Sequence, residues 1–153
     1  MNIKRRTFLK SSAAASAVGI AVSAGLITPR AVFAAWPKAA FEATKVDAAL
    51  QGALGASNAA DSGDIKVKAP DIAENGAVVP ITVTSNISGT ESISVLVPAN
   101  NTPLAASFNM SDSAEGFVST RIKMSKTSDV VVVVKAGGKL YSAKKEVKVT
   151  IGG

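Results

Sequence analysis

Apolar and polar residues follow two different periods along this chain, one typical of a helix and one typical of strands. Over residues 37–54 the apolar side chains recur at three- and four-residue steps, at Ala39, Ala43, Val46, Leu50 and Ala53. This spacing aligns them along one narrow stripe of a helix. Pro37 suits the first helical turn and Gly55 suits the residue after the last one, so we predict a single helix over residues 37–54.

From Asp64 onward the apolar residues alternate with polar ones, as they do in strands with one buried face. The alternating segments are residues 64–70, 77–85, 91–98, 116–124 and 146–151. Stretches rich in Gly, Asn, Asp and Pro separate them and predict turns. Short strands with this punctuation predict a β-sandwich rather than a fold of alternating strands and helices.

One predicted strand is apolar at every position and therefore on both faces. Its residues are Val130, Val131, Val132, Val133 and Val134. Such a strand is buried on both sides, or it has one face in the core and the other against a partner. Two interpretations follow: the outward valines form a partner interface, or the 37–54 helix covers them. The Gly137-Gly138 pair that follows predicts a two-residue hairpin turn.

Pro80 interrupts an otherwise regular strand pattern. Proline has no N–H to donate to a strand ladder, so this stretch is predicted to lie at a sheet edge or at a bulge. An edge strand beside an apolar patch would suit a constitutive heterodimer.

The first 34 residues have the pattern of an export signal. Basic residues precede a weakly apolar run at 13–27. Small or aliphatic residues then occupy the positions that a signal peptidase reads, so we expect cleavage after Ala34. This run is shorter than the ~20 apolar residues that a membrane anchor requires. The segment resembles a twin-arginine signal in four residues, Arg5, Arg6, Phe8 and Leu9. Lys4 departs from that signal, which usually has Ser or Thr at this position. We therefore expect export to the periplasm by the twin-arginine route, with an ordinary secretory signal or a retained membrane anchor as the alternatives.

Removal of this segment changes the charge of the remaining chain. It contains five of the 17 basic residues and no acid, which leaves 12 basic and 11 acidic residues and a formal charge of +1. The pI of about 9.7 is thus a property of the export segment. Nucleic-acid binding is not expected, since it requires Lys and Arg clustered in the mature domain.

The chain offers little catalytic chemistry, because it has no Cys and no His. The commonest general base and metal ligand are therefore missing, so no enzyme, metal site or cofactor is expected. Carboxylate pairs occur in predicted loops, where they are expected to cap turns, and none has the spacing of a calcium loop. These pairs are Asp61/Asp64, Asp71/Glu74 and Asp112/Glu115. Met110 and Met124 are expected to fill the core, and Trp36 and Phe41 to pack the helix onto the sandwich.

Two long runs of sequence carry a resemblance to a known family. They are KAPDIAENGAVVPITVTSNISGTESISVLVPANNTPLAASFNM and VSTRIKMSKTSDVVVVVKAGGKLYSAKKEVKVTIGG. Both resemble the SoxY family of the sulfur-oxidising Sox system, and the leader and the helix fit it as well. The resemblance implies an immunoglobulin-like β-sandwich that pairs with a SoxZ-like subunit. It also implies a periplasmic carrier, rather than an enzyme, that visits a haem c-containing loading enzyme, a sulfate-releasing hydrolase and a sulfane dehydrogenase.

In that family the cargo is held by a Cys in a C-terminal Gly-Gly-Cys-Gly-Gly tail. The resemblance implies that Gly152 and Gly153 are the first two glycines of this tail, the root of a swinging arm. A thiol is needed because it forms a disulfide-like bond to thiosulfate and releases it by exchange. Glycine suits the flanks because its free backbone makes a flexible arm.

The expected Cys would follow Gly153, and two interpretations account for its absence from the sequence. In the first, the native chain continues with Cys-Gly-Gly. In the second, this is a Cys-less relative that acts as a structural or adaptor subunit in a heterodimer without covalent carriage. The first is favoured because a Gly-Gly end has little structural use without something to present.

The expected organisation is therefore a mainly β, immunoglobulin-like β-sandwich preceded by a short N-terminal helix, after a cleaved signal peptide. The boundaries are 1–34 for the signal, 35–63 for the helix and loop, 64–151 for the carrier domain and 152–153 for the arm root.

Overall fold

The computed structural model describes residues 37–153. The predicted export signal, with Arg5, Arg6, Phe8 and Leu9, and the aromatic Trp36 lie outside the described residues. The helices are α1 (Lys38–Glu42) and α2 (Val46–Leu54). The strands are β1 (Ala60–Asp61), β2 (Ile65–Lys68), β3 (Ile72–Asn75), β4 (Val79–Ser85), β5 (Thr90–Leu96), β6 (Leu104–Asn109), β7 (Phe117–Ile122), β8 (Ser128–Ala136) and β9 (Lys139–Ile151). The prediction of a mainly β fold with a short helical segment in front is confirmed.

The strands form two sheets that face each other, as the alternating pattern predicts. The larger sheet has the order β1-β9-β8-β5-β6, with β3 also paired to β9, and the smaller sheet has the order β2-β4-β7. Their inward side chains meet in one buried cluster that includes Val79, Ile81 and Val83 from β4 and Val130, Val132 and Val134 from β8. Met124 is fully buried in this cluster and Met110 packs against it, which confirms their expected role as core residues.

The hairpin between β8 and β9 forms where the Gly-Gly pair predicts it. Gly137 and Gly138 have φ values of 55° and 72°, and Ala136 pairs with Lys139 directly across the turn. Two consecutive residues with positive φ are the requirement of a type I′ turn. The long strand β9 also pairs in parallel with β1 and, further along, with β3. These two short strands were not predicted.

The single helix predicted over residues 37–54 is wrong, because the helix is interrupted at residues 43–45. Ala43 and Lys45 have extended backbones, with ψ values of 138° and 142°, and α1 folds back onto α2. A Cβ at Gly52 would lie 3.1 Å from atoms of Ala40, so the two helices cross where glycine leaves room. Gly55 ends α2 as predicted, with φ of 79° and its N–H donating to Gln51 O at 3.1 Å.

The two short helices cover the outer face of β8 and settle the two interpretations of its valines. Val133 is 1% exposed and packs with Ala40, Ala49 and Leu50 of the helices, while half-buried Val131 lies against the same cluster. Val130, Val132 and Val134 face the sandwich core with 0% exposure. The partner interface predicted at this strand is therefore corrected, since its side chains have almost no surface left for a partner. Half-buried Phe41 packs onto this helix-side cluster as expected.

The edge position predicted for Pro80 requires a correction of its own. Its strand β4 is the central strand of the smaller sheet, not an edge strand. However, β2 pairs with β4 only over Thr82 to Ser85, whereas Pro80 pairs with Arg121 of β7 on the other side. The missing N–H is tolerated because this part of β4 has a strand on one side only. Within residues 37–153, no helix is long and apolar enough to cross a membrane.

Candidate functional site

The end of β9 and the two residues after it lie between a turn at Gly76 and the backbone of Met124 and Ser125. The Gly76 N–H donates to Ile151 O at 2.7 Å, and the Gly153 N–H donates to Met124 O at 3.0 Å. The Met124 N–H in turn donates to Gly76 O at 2.7 Å. These three bonds tie together segments that are far apart in sequence. We call this arrangement the C-terminal clamp, formed by Gly76, Met124, Ser125, Gly152 and Gly153.

The glycines of the clamp are required for space rather than for backbone conformation. None of Gly76, Gly152 and Gly153 is among the glycines with positive φ. A Cβ at Gly152 would collide with the carbonyl oxygen of Ser125, and one at Gly153 would collide with the backbone of Ala77. A Cβ at Gly76 would meet Met124 O, and it would lie 2.9 Å from Gly153 N. The expectation that a terminal Gly-Gly pair has little structural use is therefore wrong.

Side chains hold the partner segment of the clamp in place. Asn100 spans it, because its Nδ2 donates to Lys123 O at 2.7 Å and its Oδ1 accepts from the Ser125 N–H at 2.9 Å. The Ser125 Oγ donates to Ala99 O at 2.9 Å. One amide side chain thus fixes the strand end that receives Gly153. Sequence reasoning missed Asn100 and Gly76, since both were assigned to turns and nothing local indicated what they would contact.

A small cleft of about 250 Å³ opens beside Gly153. Its lining residues are Asn100, Asn101, Thr102, Lys123, Ser125 and Gly153. These residues supply amides, hydroxyls and one ammonium group, with no carboxylate or imidazole among them to act as a base. The Ser125 hydroxyl is already used as a donor to Ala99 O. The cleft therefore offers hydrogen-bonding groups and one positive charge beside Gly153.

The carboxylate pairs named from the sequence are not brought together at this site. Asp61 accepts a hydrogen bond from Ser142 Oγ at 2.9 Å, and Asp71 forms an ion pair with Lys145 at 3.0 Å. Asp64, Glu74, Asp112 and Glu115 are exposed on separate turns and strands. Between residues 37 and 153, no three His, Cys, Asp or Glu side chains are grouped in a way that could hold a metal ion.

Comparison with known proteins adds information that the geometry of the clamp cannot supply. Residues 50–153 match the family model described as sulfur oxidation protein SoxY. Among solved structures, the chain is similar to the sulfur carrier protein SoxY from Chlorobium limicola f thiosulfatophilum. The two share 50% sequence identity with a TM-score of 0.64, over 70% of this chain and 97% of that one.

A second solved structure shows only a weak likeness. It is a superoxide reductase (neelaredoxin) from Ignicoccus hospitalis, with 18% identity, a TM-score of 0.49 and coverage of 56% of this chain and 79% of that chain. A likeness of this size carries no argument about function. A search of curated proteins gave no significant match. The family match, in contrast, spans more than half of the sequence, so the chain belongs to the SoxY family.

Proposed function

We propose that this protein is a periplasmic carrier of sulfur intermediates in thiosulfate oxidation, and that it holds its cargo on a thiol next to Gly153 in the native chain. The observation that carries the proposal is the 50% identity to a sulfur carrier protein over 70% of this chain. The clamp is consistent with it, because the clamp fixes the point from which an arm would start. The carrier itself then needs no catalytic groups.

The chemistry of the cargo explains what the protein has to provide. Joining a thiolate to the sulfane sulfur of thiosulfate forms one S–S bond and releases two electrons, which the haem c-containing loading enzyme accepts. Later steps cleave or exchange bonds of the same kind. Each step needs the arm to enter a different active site, so the carrier must hold the root of the arm and leave its tip free. In this protein the freely rotating part of the arm would start after Gly153, since Gly152 and Gly153 are packed against backbone.

We further propose that a SoxZ-like subunit binds at the β3 edge of the larger sheet. Three of the four large apolar side chains that are exposed in residues 37–153 lie on or beside β3: Ile72 at 62%, Val78 at 53% and Ile151 at 67%. Ile151 sits across from Asn75, and the Val78 N–H donates to Asn75 O at 3.4 Å. Exposed apolar side chains next to an unpaired strand edge are typical of a protein interface.

The heterodimer is tested by co-expression with a SoxZ-like subunit. We expect Ile72→Lys/Ile151→Lys to weaken association by at least about tenfold, because two charges would be desolvated in an apolar contact. Phe117→Lys/Ser119→Lys is the matched control, since it also adds two charges but at exposed positions of the smaller sheet, where Phe117 is 53% exposed. Equal co-purification of the double variant and the control would show that the SoxZ-like subunit does not bind at the β3 edge.

Covalent carriage is tested by intact-mass analysis of the mature protein purified from its native host after growth on thiosulfate. We expect a C-terminal peptide that extends past Gly153 with a Cys, and a thiosulfate-derived adduct that a reductant removes. A C-terminal peptide that ends at Gly153, with no adduct in any fraction, would contradict carriage.

A second candidate function is a Cys-less adaptor subunit that works through the heterodimer alone. The observation that favours it is that Gly152 and Gly153 have a structural role of their own in the clamp, so their presence does not require an arm. This candidate predicts normal co-purification with the SoxZ-like subunit and complete insensitivity of function to thiol-blocking reagents.

A further inference from the structure

The outward face of the smaller sheet carries an unbalanced set of basic side chains. In β2, Lys66 and Lys68 are exposed while Ile65 is buried, so both lysines point away from the core. In β7, Arg121 is exposed between Thr120 and buried Ile122. The strand register places Lys68 beside Thr82 of β4, which brings the three cations onto one side of the sheet.

A fourth cation continues this face toward the C-terminal clamp. Lys123 follows β7 with the same parity as Arg121 and is also exposed. Its carbonyl oxygen accepts the Asn100 bond that fixes the clamp, and its side chain lines the cleft beside Gly153. We call Lys66, Lys68, Arg121 and Lys123 the cationic face.

No carboxylate neutralises the cationic face from within the sheet. The outward positions of β2, β4 and β7 hold only Lys, Arg, Pro, Thr, Ser and Phe. Asp64 and Glu115 precede β2 and β7 and lie at the end remote from the clamp, because Ile65 pairs with Ser85 and Phe117 with Thr84. Two acids follow β2 toward the clamp: Asp71 is paired with Lys145, and Glu74 lies on β3 of the larger sheet. The ion pairs of residues 37–153 involve Lys38, Lys135 and Lys145, all outside this sheet.

We propose that the cationic face docks an acidic protein surface, the carboxylate-bearing rim around the active-site entrance of the enzymes that act on the cargo. This inference rests on the proposed carrier function and adds the surface that the enzymes recognise. Because Lys123 lines the cleft beside Gly153, docking at this face brings the root of the arm to the rim of the entrance. The hydroxyls of Thr82 and Ser119, which lie on the same face, provide neutral hydrogen-bonding groups between the charges.

The physical character of this face fits brief encounters better than a permanent complex. Exposed charges raise the rate of association by about 10- to 1,000-fold, while they add little to the lifetime of a complex. A carrier that must visit several enzymes in turn benefits from fast arrival and fast release. The apolar β3 edge, in contrast, has the composition of a long-lived contact.

The test measures the association rate of the mature SoxZ-like heterodimer with the immobilised haem c-containing loading enzyme, at about 20 and about 300 mM NaCl. The test variant is Lys66→Glu/Lys68→Glu/Arg121→Glu. The control is Lys45→Glu/Lys139→Glu/Lys144→Glu, which makes the same change in net charge at exposed lysines of the helical segment and β9. Neutral Lys66→Gln/Lys68→Gln/Arg121→Gln should give an intermediate rate and guards against effects of reversed charge on folding.

We expect the test variant to associate at least about tenfold more slowly than the wild type at low salt, and the control less than about threefold more slowly. The wild-type rate should fall with salt and approach that of the variant. Equal rates for test variant and control would overturn the proposal. So would loss of the SoxZ-like subunit from the test variant, which would make this face the constitutive interface.

A membrane surface is the competing acidic partner. Binding of the wild type to phosphatidylglycerol vesicles, with an unchanged rate toward the enzyme in the test variant, would assign the face to lipid and overturn the proposal. The carrier function itself is read separately, by the adduct on the arm. A wild-type heterodimer that carries the adduct while its charge variants dock normally would leave that function standing and refute only the docking surface.

Discussion

Two pairs of glycines in this protein look alike in sequence and do different things. Gly137-Gly138 forms the β8–β9 turn, where both residues have positive φ and a Cβ on either would meet open space. Gly152-Gly153 has no positive φ, and a Cβ on either would collide with backbone. The first pair is needed because the turn requires positive φ. The second pair is needed because backbone from another part of the chain packs against it.

The comparison predicts that a steric glycine is the most costly to replace where its surroundings cannot move, and much less costly where the glycine itself can move away. The largest effect is expected for Gly76→Ala, because the new methyl group would overlap Met124 O and lie 2.8 Å from Val149 Cγ1. Backbone cannot move aside without breaking the bonds of the clamp, so we expect a loss of about 3 kcal/mol in the free energy of unfolding. Urea denaturation measures it.

Gly63→Ala is the matched control for this substitution. Gly63 lies in a loop without positive φ, and a Cβ there meets nothing within 4 Å. Its free energy of unfolding should stay within about 0.5 kcal/mol of the wild type, as for most surface substitutions. If both variants lost equal stability, the clamp would not be a tightly packed site.

A smaller effect is expected in the hairpin. Gly137→Ala places a Cβ at φ of 55°, with open space around it. The strain of a left-handed backbone should lower the free energy of unfolding by about 1–2 kcal/mol. Gly137→Asn should recover most of that loss, because Asn tolerates this conformation. The same urea titration tests both, and a failure of Asn to rescue would show that space rather than φ matters here as well.

The sequence predicted the hairpin and not the clamp because of the distance over which each requirement acts. The hairpin turn can be predicted from about four neighbouring residues, because a Gly-Gly pair between two strand patterns is enough to indicate it. The clamp depends on residues 76, 124 and 153 meeting, and no local pattern encodes that contact. The break in the helix belongs to the same class: Ala43, Thr44 and Lys45 include no helix breaker, and no local pattern encodes the close approach of Ala40 to Gly52.

The cationic face was hidden from sequence reasoning for a related reason. A formal charge of +1 beyond residue 34 gave no indication of clustering. Lys66 and Arg121 are 55 positions apart in sequence and share one face of the sheet only because β4 joins their strands. Strand β6 was missed because its sequence, LAASFN, alternates between apolar and polar only over its last four residues. What could be predicted were the strands with clear alternation, the sandwich they form and the hairpin turn.

The smallest global effect, and the sharpest local one, is expected for Gly153→Ala. A Cβ there would collide with the Ala77 backbone, but the residue lies past the last strand and can move away. We therefore expect less than about 1 kcal/mol of lost stability, because only the Gly153 N–H bond to Met124 O is broken. Hydrogen exchange followed by NMR should show faster exchange of that amide, while amides in β8 keep their protection. Unchanged exchange of the Gly153 amide would mean that a Cβ at this position meets no obstacle, as at the hairpin glycines. The distinction between the two glycine pairs would then be lost.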